Sequence, residues 1–182
     1  MLSLENAGLP NWAVIVIVIV SLIVLFLLGG LVFFLIYKKK YPKAVAEMKK
    51  LDEYEINRGK KVLETVTRLE THGFKYDKKA HEVLQKGIDD MDDLTPRGRS
   101  EYKDMVDFMA FYLAKIHKED RRLGKYITDE EGKEFENYHL ESSEKYRQYN
   151  RKAASVNAFR NMWNVKIFLK ISKDQGDDLP SF

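Results

Sequence analysis

Residues 12–37 read WAVIVIVIVSLIVLFLLGGLVFFLIY, an unbroken run without a charged side chain, and Lys38-Lys39-Lys40-Tyr41-Pro42-Lys43 follows at once. Its 26 residues would extend about 39 Å as a helix, against roughly 30 Å of hydrocarbon in a bilayer. The run is long enough to cross once, with tilt. Its Val and Ile content would suit a strand in water. In lipid, however, a lone segment must satisfy its own backbone hydrogen bonds, which only a helix does. The run therefore predicts a transmembrane helix over 12–37.

A cleaved signal peptide would need a basic start, an apolar run of about 7 to 15 residues and a small-residue cleavage site. Glu5 is the only charged side chain before the run, and lysines stand where the cleavage site would fall. Lys and Arg beside a span favour the cytoplasmic side. The expected topology is single-pass, N-out and C-in, in a bacterial inner membrane or an organelle membrane derived from it. Residues 1–11 would form a short extracytoplasmic tail. Trp12 at one end, and Tyr37, Lys38, Lys39, Lys40, Tyr41 and Lys43 at the other, are the expected membrane-interface residues. Gly29-Gly30 permits close helix approach, which leaves a homo-oligomer open, although one small-residue pair is a weak dimer signature.

The chain of 182 residues carries 31 Lys and Arg against 28 Asp and Glu, with 10 Gly, 4 Pro and no Cys. So even a balance gives no electrostatic footprint for nucleic acid. The missing cysteines exclude disulfides, thiolate nucleophiles and zinc–thiolate sites. Sparse Gly and Pro point to long helices. Residues 38–172 suffice for one helical domain with its own core.

Helix boundaries follow from stop signals. Pro42 and Gly73 bracket a helix over about 43–72, with Val45, Met48, Leu51, Ile56, Leu63, Val66 and Leu69 near helical spacing. Asp77 can cap a second helix carrying Ala80, Leu84, Ile88 and Met91. Thr95-Pro96 opens a third, with Tyr102, Met105, Met109, Tyr112, Leu113 and Ile116, which Gly124 would close. Thr128-Asp-Glu-Glu131 is a capping box. The fourth helix carries Phe135, Tyr138, Ser142, Tyr146, Tyr149, Ala153, Val156, Arg160 and Trp163 in one stripe, and would run some forty residues if unbroken. Val66, Met109 and Tyr146 are expected core positions. Residues 173–182 are polar and predict a flexible tail. The fold class is all-α: one N-terminal transmembrane helix followed by an antiparallel bundle of about four helices.

Chemical motifs are few. Glu136-x-x-His139 has the spacing of a di-iron helix motif, but that site needs a second copy and two more glutamates. A solvated helix face accounts for it better. Asp89-Asp90-Met91-Asp92-Asp93 lacks the glycine and distal glutamate of a calcium loop. No phosphate loop and no nucleophile elbow is present. No catalytic activity, no catalytic residue, no metal and no cofactor is expected. A membrane-bound helical enzyme or metal-binding protein using His139 and nearby carboxylates is the alternative.

The apolar segment from Trp163 to Ile171 has two readings. Trp163, Ile167 and Ile171 share one helical face beside Lys166 and Lys170, so the segment could lie at a bilayer surface or meet a partner. It could equally close the core. Val165, Ile167, Leu169 and Ile171 also alternate as a strand would, without a second such run to pair with.

Taken together, Val62-Leu-Glu-Thr-Val66, Glu70-Thr-His72 and Glu144-Lys-Tyr-Arg-Gln-Tyr-Asn150, after one span, resemble the bacterial LemA family. Its first long helix bears a Leu-Val-Glu-Thr-Val segment, and its last a Tyr-Asn-x-x-Val-x-x-Tyr-Asn segment before an apolar stretch. Tyr146, Tyr149 and Asn150 match part of the latter, and Trp163 to Ile171 takes the place of the apolar stretch. The family's Trp-x-x-Ile-Asp-Val-Gln-Leu and Asp-Leu-Ile-Pro-Asn-Leu runs are absent here. The resemblance implies a membrane-anchored, cytoplasmic helical scaffold or adaptor, without catalytic activity, that meets the lipid bilayer and protein partners.

Overall fold

The computed structural model describes residues 10–173 and 178–182. Five α-helices, α1 (Asn11–Glu70), α2 (Lys78–Asp89), α3 (Pro96–Glu119), α4 (Asp129–Asn161) and α5 (Trp163–Ile171), are joined by short connections, two of which hold single 3-10 turns. No strand occurs among the described residues. The expected extracytoplasmic tail falls mostly on 1–9, outside the described residues, as do 174–177 of the expected flexible tail.

Two boundaries differ from expectation. Pro42 does not open a helix: it lies inside α1, which continues through it to Glu70. A proline interrupts one rung of the ladder because it has no N–H to donate. The expected 12–37 and 43–72 helices are thus parts of one helix. α3, in turn, ends at Glu119 rather than at Gly124. Asp120 supplies the stop, its Oδ1 accepting from Arg122 N at 2.8 Å and Leu123 N at 3.0 Å.

The remaining signals act where the sequence puts them. Gly73 adopts φ +90°, the left-handed region that favours glycine, and Phe74 N bonds back to Leu69 O at 3.1 Å. Asp77 Oδ1 accepts from Lys79 N, and Thr95 Oγ1 from Gly98 N. The capping box forms in both directions, Thr128 N to Glu131 Oε2 at 2.8 Å and Glu131 N to Thr128 Oγ1 at 3.2 Å. α4 stops at Asn161, because Met162 takes an extended backbone with ψ 126°. The segment that could have been a strand is helix α5.

By contact the chain falls into two compact units, Met1–Lys43 with Ala154–Leu179, and Ala44–Ala153 with Pro180–Phe182. The larger unit holds the main core: Val62, Val66 and Leu69 of α1, Leu84 of α2, Val106, Met109, Ala110 and Leu113 of α3, and Phe135 and Tyr138 of α4. Val66, Met109 and Tyr146 are all buried. Tyr102 lodges between Gly59 and Gly87, either of whose absent Cβ atoms would overlap its ring or hydroxyl. From there its hydroxyl donates to Glu55 O at 3.0 Å. Pro180–Phe182 also belongs to this unit. Phe182 N donates to Asn150 Oδ1 at 3.1 Å, Asn150 Nδ2 donates back to Phe182 O, and Tyr149 OH donates to Pro180 O at 2.9 Å. The Phe182 ring meets Tyr146 edge-on at 5.6 Å. Where composition suggests a free end, these residues make defined contacts.

In the smaller unit, α1 is apolar and long enough to cross a membrane. None of residues 11–29 is buried; Gly30, Phe34 and Tyr37 are, at helical spacing along one face.

Candidate functional site

Two places bring functional side chains together, one in each unit. In the smaller unit α5 lies against α1. Trp163 stacks on Phe26 at 4.2 Å, Phe168 on Phe34 at 5.8 Å, and a Cβ at Gly30 would meet Phe168 Cε2 at 2.9 Å and Asn164 O at 3.1 Å. Gly30 is therefore the residue that lets the two helices approach. Val165 and Leu169, one turn apart, face inward and are buried. Trp163 and Ile171 are 67% and 73% exposed, Ile167 is half-buried, and Lys166 and Lys170 are exposed. One face of α5 is therefore covered by protein through Val165 and Leu169, while Trp163 and Ile171 stand exposed on the other.

The basic cluster after the apolar run is partly engaged. Lys40 Nζ donates to Ser155 Oγ at 3.3 Å and lies 4.8 Å over the Phe159 ring, and Lys38 lies 5.4 Å over Phe34. Lys39 and Lys43 are exposed, Tyr41 is half-buried, and Trp12 is exposed. Tyr37 departs from the interface expectation: only 1% of it is exposed, with the Tyr41 ring 5.4 Å away. Its place at helical spacing after Gly30 and Phe34 turns it inward.

Sequence reasoning missed the site in the larger unit, a cluster of charged side chains withdrawn from water. Arg58, 2% exposed, donates from Nη1 to both Glu55 oxygens at 2.9 and 2.7 Å and from Nη2 to Asp107 Oδ1. Ser142 Oγ donates to Glu55 Oε1 at 2.9 Å. Lys103 Nζ, at 2.8 Å, and His139 Nδ1, at 3.0 Å, meet Asp107 Oδ2. The Arg58 guanidinium lies 4.7 Å over the Tyr138 ring. A second buried pair, Arg99 and Asp52, stands nearby in the same unit.

Burial pushes the Glu55 carboxyl above its ordinary range, with Arg58 and Ser142 pulling it back. Burial acts on Asp107 too, but the hydrogen bonds from Lys103, Arg58 and His139 outweigh it and hold that carboxyl below the usual range. The two carboxylates on one arginine are therefore driven in opposite directions. Desolvation raises the Tyr102 and Tyr146 hydroxyls well beyond the ordinary phenol range.

The signal for this cluster was present. Leu51, Glu55, Arg58, Val62, Val66 and Leu69 follow the steps of three and four that define a buried face, with charges at its second and third places. Ser142 sits in the apolar stripe of α4 for the same reason. His139, named in the enzyme or metal alternative, meets one carboxylate, that of Asp107, while Glu136 is drawn to Lys118 at 2.8 Å. Among the described residues no group of three or more His, Asp or Glu side chains is placed to hold a metal ion.

Comparison with protein-family models, curated proteins and solved structures finds no match to this chain. The site must be read from its own geometry.

Proposed function

We propose that the protein is a single-pass membrane-anchored helical scaffold or adaptor of the LemA kind, with the first part of α1 as the anchor and residues 38–172 as a cytoplasmic antiparallel helical bundle. The observation that carries the reading is the section from 11 to 29, apolar yet with no residue buried by the rest of the chain. Apolar side chains left bare over so long a helix need a solvent other than water. Lys38, Lys39, Lys40 and Lys43 follow the run directly, and such clusters stay on the cytoplasmic side. In the bacterial inner membrane, or an organelle membrane derived from it, the bundle would display helical faces to partner proteins. Tethering raises the effective concentration of anything it holds near the bilayer. The charge cluster fits a fixed, non-catalytic framework: Glu55 and Asp107 are bonded internally by Arg58, Ser142 and Lys103, and His139 is its most exposed member.

Protease added outside intact spheroplasts tests the topology. Residues 38–182 should survive, and degrade only after the membrane is broken. Cleavage in intact spheroplasts would reverse the orientation, and release of the protein by an alkaline wash would remove the anchor. Crosslinking in native membranes, followed by capture of the full chain, tests display. A specific co-purifying protein is expected, and capture of lipid alone would overturn the adaptor role.

A further inference from the structure

Within the smaller unit, the bare and covered parts of α1 meet at Gly30. The bare section from 11 to 29 spans about 28 Å as a helix, close to the roughly 30 Å hydrocarbon thickness of a bilayer. The full apolar run to Tyr37 would overshoot it. From Gly30 onward, α1 is covered on one face by protein, through Phe34 and Tyr37, while Leu31, Val32, Phe33 and Leu35 stay exposed on its other sides. Trp163, however, does not stop at that boundary. It stacks on Phe26, a full helical turn inside it, or about 6 Å along the axis.

From this geometry we infer that α5 is an interfacial helix whose Trp163 end dips into the acyl boundary of the leaflet flanking Gly30, while Lys166 and Lys170 reach its headgroups. The inference rests on α1 spanning the bilayer and adds what happens at the edge of the span. Helices of this kind bury their apolar face by about 5–10 Å at the headgroup and acyl boundary, and the offset of Trp163 from Gly30 falls within that depth. The exposed side chains are of the right type. Met162, Trp163 and Ile171 present apolar surface to the outside, Trp163 beside Phe26 of the bare section, and both lysines of α5 are exposed. Their long stems allow the ammonium groups to extend outward while the backbone sits lower. The inward residues Val165 and Leu169 stay on protein, so lipid is required only by the outer face. Lipid is the occupant because the exposed Trp163 stacks on Phe26, within the section of α1 that has no buried residue.

The chain has two tryptophans, so one substitution isolates each. Full-length Trp12→Phe, reconstituted in phosphatidylcholine vesicles, leaves Trp163 as the sole indole; Trp163→Phe leaves Trp12. Lipids brominated near the headgroup end of the acyl chain should quench most of the Trp163 emission. Bromines near the chain terminus should quench less, and aqueous iodide little. Trp163 quenched by iodide and untouched by brominated lipid would overturn the inference. Protection from both quenchers would also overturn it, since a second copy or another part of the chain would then cover the patch. Failure of the span is read separately: in that case Trp12 in the Trp163→Phe protein also escapes brominated lipid, and an alkaline wash strips the protein from the vesicles. If Trp12 is quenched by lipid and the protein resists the wash while Trp163 answers to iodide, the span stands and the interfacial helix falls.

Discussion

The hydroxyl of Ser142 donates to Glu55 Oε1 at 2.9 Å, joining α4 to α1 through two side chains that are both almost fully withdrawn from water. Glu55 is at the same time bound by Arg58, which also holds Asp107 of α3. The Glu55–Arg58 pair of α1 thus ties α4, through Ser142, to α3, through Asp107. Removing one member of a buried, hydrogen-bonded ion group leaves its partners charged and unpaired, a loss of about 3–5 kcal/mol. Arg58→Ala should therefore destabilise the full-length protein in detergent by that amount, measured by urea unfolding followed by circular dichroism. A loss below about 1 kcal/mol, typical of an exposed pair, would show that the cluster is wet.

Asp107 makes the stability depend on acid. Its folded-state carboxyl holds a proton less tightly than the unfolded chain's, so the stability it contributes is present above the unfolded value and lost as pH falls through the folded one. Glu55 has the opposite sign, being held above its ordinary range, so its contribution is full below the unfolded value and declines as pH rises through the folded one. Asp107→Asn should flatten the acid limb of a stability-against-pH curve below the ordinary carboxylate range. Glu55→Gln should flatten the loss just above that range. An unchanged acid limb in Asp107→Asn would place the acid sensitivity elsewhere.

At the start of α4, Thr128 and Glu131 satisfy each other's free amides. Thr128→Ala removes the hydroxyl acceptor and should cost about 1 kcal/mol, seen as a lower midpoint in the same urea titration with an unchanged slope. Thr128→Ser should restore most of the loss, and failure of serine to do so would mean the methyl group matters more than the hydroxyl.

Asn150 reads the backbone of Phe182 through both its amide oxygen and its amide nitrogen. Asn150→Ala should speed hydrogen exchange at the Phe182 amide while costing the protein about 1 kcal/mol or less overall, the net worth of such bonds. Unchanged exchange there would mean that Phe182 is held by the Tyr146 and Tyr149 rings alone.

How far the chain could be read in advance divides along physical lines. Local signals were legible: Asp77, Thr95, Thr128 with Glu131, and Gly73 each act within a turn of themselves, and all four are found at work. The apolar run was legible from its length and lack of charge, and the stripe of α4 because burial follows periodicity. Pro42 misled because a breaker residue marks where a helix is weakened, not whether it stops, and Gly124 misled because Asp120, accepting from Arg122 N and Leu123 N, had already ended the helix. Glu55 and Arg58 are hidden from a sequence reading because a charged side chain ordinarily faces water. Only the side chains of α3 and α4, distant in sequence, show that each charge has an answer inside. The stop at Met162 had no comparable signal, and it depends on α5 finding its seat beside Gly30 and Phe34.

Tyr102 sits in a slot cut by two glycines on separate helices, with Gly59 on one side and Gly87 on the other. Each glycine gives up about 1 kcal/mol of helix propensity relative to alanine, a debt that makes sense only while the phenol ring is there. The three positions are therefore sterically coupled: a chain that enlarged either glycine would have to shrink residue 102, and one that lost the tyrosine would be free to fill both gaps. Related sequences should either carry the whole trio or have replaced all of it.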